Sequence, residues 1–247
     1  MPPTPATTSS AKSFTLLLPA GLVTFTFPPP EAYTTGNART RITIPKGSTW
    51  SPGAHWHEHY TEHIRVLQGR LKLTLNGVVS IKGPEDGVVT FQKFEVHDFC
   101  RADGGAAEGE GDDGDVVVEE WTDPEDGFKE VFFYNVMSAF ADPSLGATTS
   151  TNPPNFTVPL LLQLLTTIPY VDNYVDLLPF LPNSASLVGR VLFGVKWMLT
   201  HGFYAIGGWV GWAAGYHSWV REYTPPELWI VAERGPIPRG EKGGKGD

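Results

Sequence analysis

Between Ser13 and Tyr134 the apolar residues come in short runs, each closed within a few positions by Gly, Pro, Asn, Asp or Ser. The runs are Ser13–Leu18, Leu22–Phe27, Ala38–Ile44, Glu62–Leu67, Leu71–Leu75, Val78–Ile81, Val88–Phe91, Val116–Trp121 and Phe128–Tyr134. Within one of them Leu71, Leu73 and Leu75 alternate with Lys72 and Thr74, the period-two pattern of a half-buried strand. Asn76-Gly77 stands between two runs and tolerates the left-handed backbone of a two-residue hairpin. Many short strands without helices between them predict a mainly β chain, a sandwich or barrel. The 27 glycines and 22 prolines follow no triplet repeat, which excludes a collagen-like chain and suits turns. With 41% apolar and 18% charged residues the 247-residue chain holds a packed core, enough for one large domain with an appendage.

The net charge is −9, and it is concentrated: residues 102–126 hold eleven acidic groups and no Lys or Arg. The remainder is close to neutral and offers no basic face for a phosphate backbone, so nucleic acid is not an expected partner. Residues 102–115 (ADGGAAEGEGDDGD) lack large apolar groups and the spacing of a calcium loop; a flexible acidic loop between strands is expected. One cysteine, Cys100, rules out an intramolecular disulfide framework and a Cys-rich zinc module. Residues 1–12 (MPPTPATTSSAK) lack the features of a secretory signal and read as a disordered tail. An intracellular chain, cytoplasmic or membrane-associated, is expected.

After the barrel segment 13–142 the composition changes. Residues 143–156 form a Pro/Ser/Thr/Asn linker, 157–230 an apolar helical extension and 231–247 a polar tail. Val158–Ile168 reads as a helix with Pro159 in its first turn, where a missing N–H does no harm. From Trp197 to Val220 there are 24 residues without a formal charge, with Gly207, Gly211 and Gly215 in two G-x-x-x-G steps. His201, His217, five glycines and the scarcity of Leu, Ile and Val argue against a span. Two readings stand: membrane contact through 197–220, or a helical layer packed on the barrel or a second subunit.

Five of the seven histidines fall between positions 55 and 97. On an extended chain His55 and His57 face the same way, and a short turn brings Glu62 back beside them. Two neutral imidazoles and a carboxylate suit a divalent first-row metal. On the following strand Glu62, Ile64 and Val66 share the inward face, with His63 and Arg65 outward. His97 supplies a third imidazole from another strand. His59 shares parity with His55 and His57 and could replace one of them on an unbroken strand, but is assigned to the turn at the rim. His63 is assigned outward, solvated or beside the ligands. Glu58 and Glu95 are expected exposed, and either could act as a base at the barrel mouth. Trp56 should pack outward, and Phe91, Phe94 and Phe99 belong to the core.

The spacing His55-x-His57, four residues, Glu62, six residues, Gly69 resembles the first motif of the cupin superfamily, with Thr49 in place of the motif's leading glycine. The frame Gln92-Lys93-Phe94-Glu95-Val96-His97 is similar to the second motif only in its histidine. Gln92 and Phe94 stand where that motif has Pro and Gly, and Arg101 where it has Asn. Residues 122–133 further resemble small single-domain cupins of fungi. The resemblance covers roughly residues 35–135 and implies a double-stranded β-helix, a jelly-roll barrel, with His55, His57, Glu62 and His97 around a metal. It implies Fe(II) first, with Mn, Ni, Cu or Zn as alternatives, Glu62 as a catalytic base that leaves the metal, and a homodimer. The function expected from it is an oxygenase or oxidoreductase of fungal secondary metabolism acting on a small organic molecule. The alternatives are a non-redox isomerase, cyclase or decarboxylase, or a non-catalytic ligand- or metal-binding domain.

Overall fold

The computed structural model describes residues 3–18, 21–102, 114–146, 156–181 and 186–236. Its strands are β1 (Ser13–Leu18), β2 (Gly21–Thr26), β3 (Thr40–Ile44), β4 (His55–Trp56), β5 (Thr61–Gln68), β6 (Leu71–Leu75), β7 (Val78–Lys82), β8 (Val88–Phe91), β9 (His97–Arg101), β10 (Val116–Asp123) and β11 (Tyr174–Val175). The helices are α1 (Ala32–Thr35), α2 (Phe128–Ala141), α3 (Val158–Thr167), α4 (Leu187–Ala213) and α5 (Trp229–Arg234). One sheet runs β1-β2-β3-β10-β5-β8 and the other β11-β4-β9-β6-β7, with every pairing antiparallel. The sheets enclose one core, from Leu16, Phe25 and Ile42 through Ile64 and Val118 to Leu73 and Phe99. Two antiparallel sheets thus form a mainly β, jelly-roll-like barrel, extended by a C-terminal helical layer.

Local chemistry accounts for the register. Glu62, Ile64 and Val66 are buried along β5 while His63 and Arg65 stand half out, as alternation requires. Asn76 (φ 49°) and Gly77 (φ 83°) close the β6–β7 hairpin, pairing Leu75 with Val78. Gly69 (φ 77°) is obligatory: a Cβ there would lie 2.9 Å from Val116 Cγ2 and 3.0 Å from the Asp115 carbonyl. At the position of the second motif's glycine, Phe94 adopts φ 68°, so the chain keeps the backbone turn with a bulky side chain in it. Strands β4 and β9 escape period-two reading because His55, His97 and Arg101 occupy inward positions that a pattern of apolar residues would mark.

The expected strand Phe128–Tyr134 is instead the first half of α2. Phe128, Val131, Phe133, Tyr134, Val136 and Met137 are all buried, so nearly every side of this helix is apolar and no single stripe reveals its period. Aromatic and β-branched residues then mimic a strand. The helical layer therefore begins inside the segment assigned to the barrel. Helix α3 forms as expected, with Thr157 Oγ1 accepting from the Leu160 amide at its N-cap. In place of the disordered tail expected over residues 1–12, the described residues 3–12 dock on the helical layer. The Ala6 amide donates to Asp142 Oδ2 (2.9 Å) and the Thr8 amide to the Glu222 carbonyl (2.9 Å). Helix α5 crosses the boundary expected at residue 230. The acidic loop lies almost wholly outside the described residues, as does most of the linker.

No helix of the described residues is long and apolar enough to cross a membrane. The uncharged run 197–220 is cut by the end of α4 at Ala213 and by a turn at Gly215 (φ 92°). Two of its glycines serve packing inside the molecule. A Cβ on Gly207 would meet Leu165 Cδ1 at 2.9 Å, and one on Gly211 would meet Thr166 Oγ1 at 2.1 Å and the Leu162 carbonyl at 2.9 Å. Small residues let α4 press against α3. The one cationic side chain in the middle of α4, Lys196, is fully buried and donates to Asp176 Oδ2 at 2.7 Å.

Gly211→Ala should cost about 1–3 kcal/mol in denaturant unfolding, although Ala normally gains about 1 kcal/mol over Gly in a helix. At Gly208, where the new methyl would meet only the Leu165 carbonyl at 3.6 Å, the same change should be neutral or stabilising. A second expectation concerns pH. Burial pushes Glu130 of α2 up to about 7. Its folded form therefore holds a proton that the unfolded chain releases near 4.5, and its contribution to stability is lost as pH rises through that window. Glu130→Gln should flatten the fall of Tm between pH 5 and 7, by an amount worth up to about 3 kcal/mol. An unchanged slope would refute the assignment.

Candidate metal centre

Each predicted ligand is inward on its element. His55 of β4 is the direct cross-strand partner of His97 on β9, Glu62 projects from the start of β5, and His57 follows β4. All four are buried, with relative exposures of 0–5%. One ligating atom from each lies within 4.8 Å of the other three. The three residues of the first motif's spacing and His97 are thus brought to one point.

The rings are held by the backbone. His55 Nδ1 lies 2.7 Å from the Gly53 carbonyl, His57 Nδ1 2.6 Å from the Asp172 carbonyl and His97 Nδ1 2.9 Å from the Glu95 carbonyl. A carbonyl only accepts, so each Nδ1 carries the proton and each Nε2 presents a lone pair to the centre. There the contacts lie between acceptors. His57 Nε2 is 2.8 Å from Glu62 Oε2 and His97 Nε2 is 3.2 Å from Glu62 Oε1. His97 Nε2 and Glu62 Oε1 are buried without a hydrogen-bond partner. Lone pairs converging in a dry interior, with orphaned acceptors, fit a cation between them. Burial above all lowers the His55 pKa well below its ordinary value, keeping that ring neutral, as ligation requires.

A lysine completes the electrostatics. Lys129, in the first turn of α2, reaches inward and sits 2.5 Å from both Glu62 Oε2 and Glu120 Oε1. Burial opposes its charge, but Glu120 and Glu62 outweigh burial and raise its pKa above the ordinary value. Burial likewise acts to raise Glu62; the Lys129 ammonium overcomes it and holds this carboxylate well below the usual range. Burial and then Glu62 push Glu120 up to about 7, against Lys129. Oε2 of Glu62 is shared between Lys129 and His57, while Oε1 faces His97.

The other assigned residues take different places. His59 is not among the four: its Nδ1 lies 2.7 Å from Asp172 Oδ1. His63 faces outward, 2.9 Å from Thr90 Oγ1 and stacked on Trp121. Glu95 caps its own loop, accepting from the Gln92 amide (2.8 Å), and acts on the site through its carbonyl. Glu58, expected exposed, is buried instead: its Oε1 accepts from Trp197 Nε1 of α4 (2.5 Å) and Trp56 Nε1 (3.3 Å). A carboxylate that binds two indoles needs no water, and nothing near it in sequence signals partners on α4. Phe91 stacks flat on His97 at 4.1 Å, and Trp56 packs between its sheet and α4.

Sequence reading missed Lys129, Glu120 and Asp172. Lys129 had a signal, as a lone cation within the apolar run Phe128–Phe133. Asp172 had none. It adopts φ 57° and accepts the amides of Glu58 (3.0 Å), His59 (2.9 Å) and Tyr60 (3.2 Å), fastening the turn between His57 and Glu62. From the cluster a cavity of about 570 Å³ runs outward from His55 past Phe99, Phe133 and Met137 to Leu161 and Phe203. Helices α2, α3 and α4 roof it.

No protein-family profile matches the chain. It is 28% identical over 194 residues to a curated protein described as oxidoreductase OpS7 of Beauveria bassiana (strain ARSEF 2860), covering 72% of this chain. The chain spans 58% of that relative's length. Solved structures with likeness to it include a predicted oxalate decarboxylase from Thermotoga maritima (TM-score 0.34, 20% identity, 47% of this chain and 96% of that one). KdgF from Halomonas sp. gives TM-score 0.28 with 15% identity, over 40% of this chain and 76% of its own. The Schizosaccharomyces pombe Cnp3 cupin domain gives 0.27 with 17% identity, over 34% and 52%.

Asp172→Ala, which alters no ligand, should weaken binding of a divalent ion about 10–100-fold, the usual cost of losing a group that orients ligands. Titration with Fe(II) or Zn(II) against a competing chelator measures it; unchanged affinity would show that the turn holds without the clasp.

Proposed function

We propose that this chain is a metal-dependent oxidoreductase, an oxygenase of specialised metabolism, that acts on a small organic molecule held in the apolar cavity above the cluster. The observation that carries the reading is the convergence of three carbonyl-locked imidazoles and a buried carboxylate on one point. The relative described as an oxidoreductase supports the redox choice. Three N donors and one O donor suit Fe(II), with Mn, Ni, Cu and Zn able to occupy the same set. When bound, such an ion supplies Lewis acidity and, if redox-active, electrons for dioxygen chemistry.

The chain's own groups do the rest. Carbonyl-held rings stay in one tautomer, so no proton has to leave Nε2 before ligation. Lys129 keeps Glu62 ionised and oriented, which makes it a better ligand than base. The acid–base role falls to Glu120, on the cavity wall with a pKa near 7, whose carboxyl can take or return a substrate proton. The apolar walls exclude water from the reacting atoms. That same Glu120 favours one second reading, a non-redox isomerisation or decarboxylation at the same centre.

Protein from metal-replete cells should carry about one ion per chain, and His57→Ala should empty the site with far-UV circular dichroism unchanged. Trace metal in the wild type would end the proposal. Turnover with dioxygen uptake in the Fe(II) form and its loss in the Zn(II) form supports the oxygenase; full turnover with Zn(II) selects the non-redox reading.

A further inference from the structure

Helix α4 is 27 residues long, about 40 Å, and packs against the rest of the chain along one side. On that side Gly211, Lys196, Thr200 and Tyr204 are buried. The opposite side carries Val191, Val195, Met198, Ile206, Trp209 and Trp212, each 38–69% exposed. With their apolar neighbours they leave on the order of 1,000 Å² of apolar surface, where the largest patch on a monomer usually measures a few hundred. Arg190 is the one formal charge that α4 exposes. Two glycines lie on the same outer side, at positions 194 and 202, with Met198 midway between them. A Cβ on either would meet nothing within 4 Å, so packing inside the molecule requires neither, in contrast to Gly207 and Gly211. Glycine weakens a helix interior, and what it offers in return is bare backbone that another element can approach closely.

We propose that this face docks on the same face of a second copy of the chain, the two α4 helices running antiparallel across a two-fold axis near Gly202. The area is sufficient: about 800 Å² per partner makes a stable interface, and homodimer interfaces are the apolar ones, depleted of charge at their core. Two-fold symmetry makes the face its own partner, so like charges must not meet across it. In an antiparallel pair centred on Gly202 the two Arg190 side chains lie at opposite ends, about 36 Å apart and well beyond the Debye length of about 8 Å. A lipid surface would instead call for Lys and Arg beside the apolar stripe, and α4 exposes no cation besides Arg190.

Light scattering of the full chain at about 10 µM should give two copies per particle. Met198→Glu would bury an unpaired carboxylate from each copy and should weaken the pair at least about 100-fold. Far-UV circular dichroism should stay unchanged, because Met198 is 62% exposed in the single chain. Val79→Glu is the control: Val79 is also exposed, on the edge strand β7 of the barrel, and its replacement should leave the dimer intact. Gly202→Cys should cross-link the two copies under mild oxidation with diamide, while wild type, whose one cysteine is Cys100, should not. A monomeric wild type overturns the proposal, whether it stays in solution or floats with phosphatidylcholine vesicles. So does a dimer that Val79→Glu abolishes and Met198→Glu spares, or one that Gly202→Cys fails to cross-link.

Discussion

A carboxylate with no access to water sits at the centre of this molecule, and much of the architecture answers its charge. Glu62 is completely buried, and moving an isolated carboxylate into such an interior is prohibitively unfavourable. Lys129 supplies the compensating charge, and Lys129 belongs to a helix. Docking of α2 is thereby coupled to the state of the barrel interior: the lysine is satisfied only if the helix lies across the barrel, and Glu62 only if the lysine arrives. Once α2 is there, its aromatic residues become the roof of the cavity. Glu120 shares the lysine, so two carboxylates face one cation, an imbalance of charge that a divalent ion at the cluster would redress.

The helical extension belongs to the site as much as the barrel does. Asp172 reaches the turn between His57 and Glu62, and its neighbour Asn173 lines the cavity. Glu58 of that turn binds Trp197 of α4. The glycines of α4 that resemble a membrane-helix motif are spent on a close approach to α3, and that approach places Leu161, Leu165 and Phe203 around the cavity mouth. A segment that reads as an appendage by composition supplies a wall and a clasp.

The barrel was legible because its strands obey alternation and their turns carry Gly, Pro and Asn. Inward placement of Glu62, Ile64 and Val66 follows from parity alone, and the grouping of His55, His57 and Glu62 follows from spacing. His97 was reachable only through a worn motif, since Phe94 occupies the positive-φ position where a glycine would have marked the turn. Helix α2 was misread because a helix buried on nearly all sides carries no amphipathic stripe. Asp172 and the partners of Glu58 were invisible for a different reason. Their contacts join residues more than a hundred positions apart, and no local periodicity encodes such a pairing.

That separation bears on how the molecule is made. Chains fold from the N-terminus as they leave the ribosome. The last long strand ends at Asp123, yet the carbonyl that orients His57 belongs to Asp172. During translation the nascent barrel has its strands but an unfastened histidine turn, and the arrangement matures only when a far later stretch threads back to pair β11 with β4. The histidine turn is therefore fastened only once Asp172 has been made, a long-range closure of the kind that slows folding.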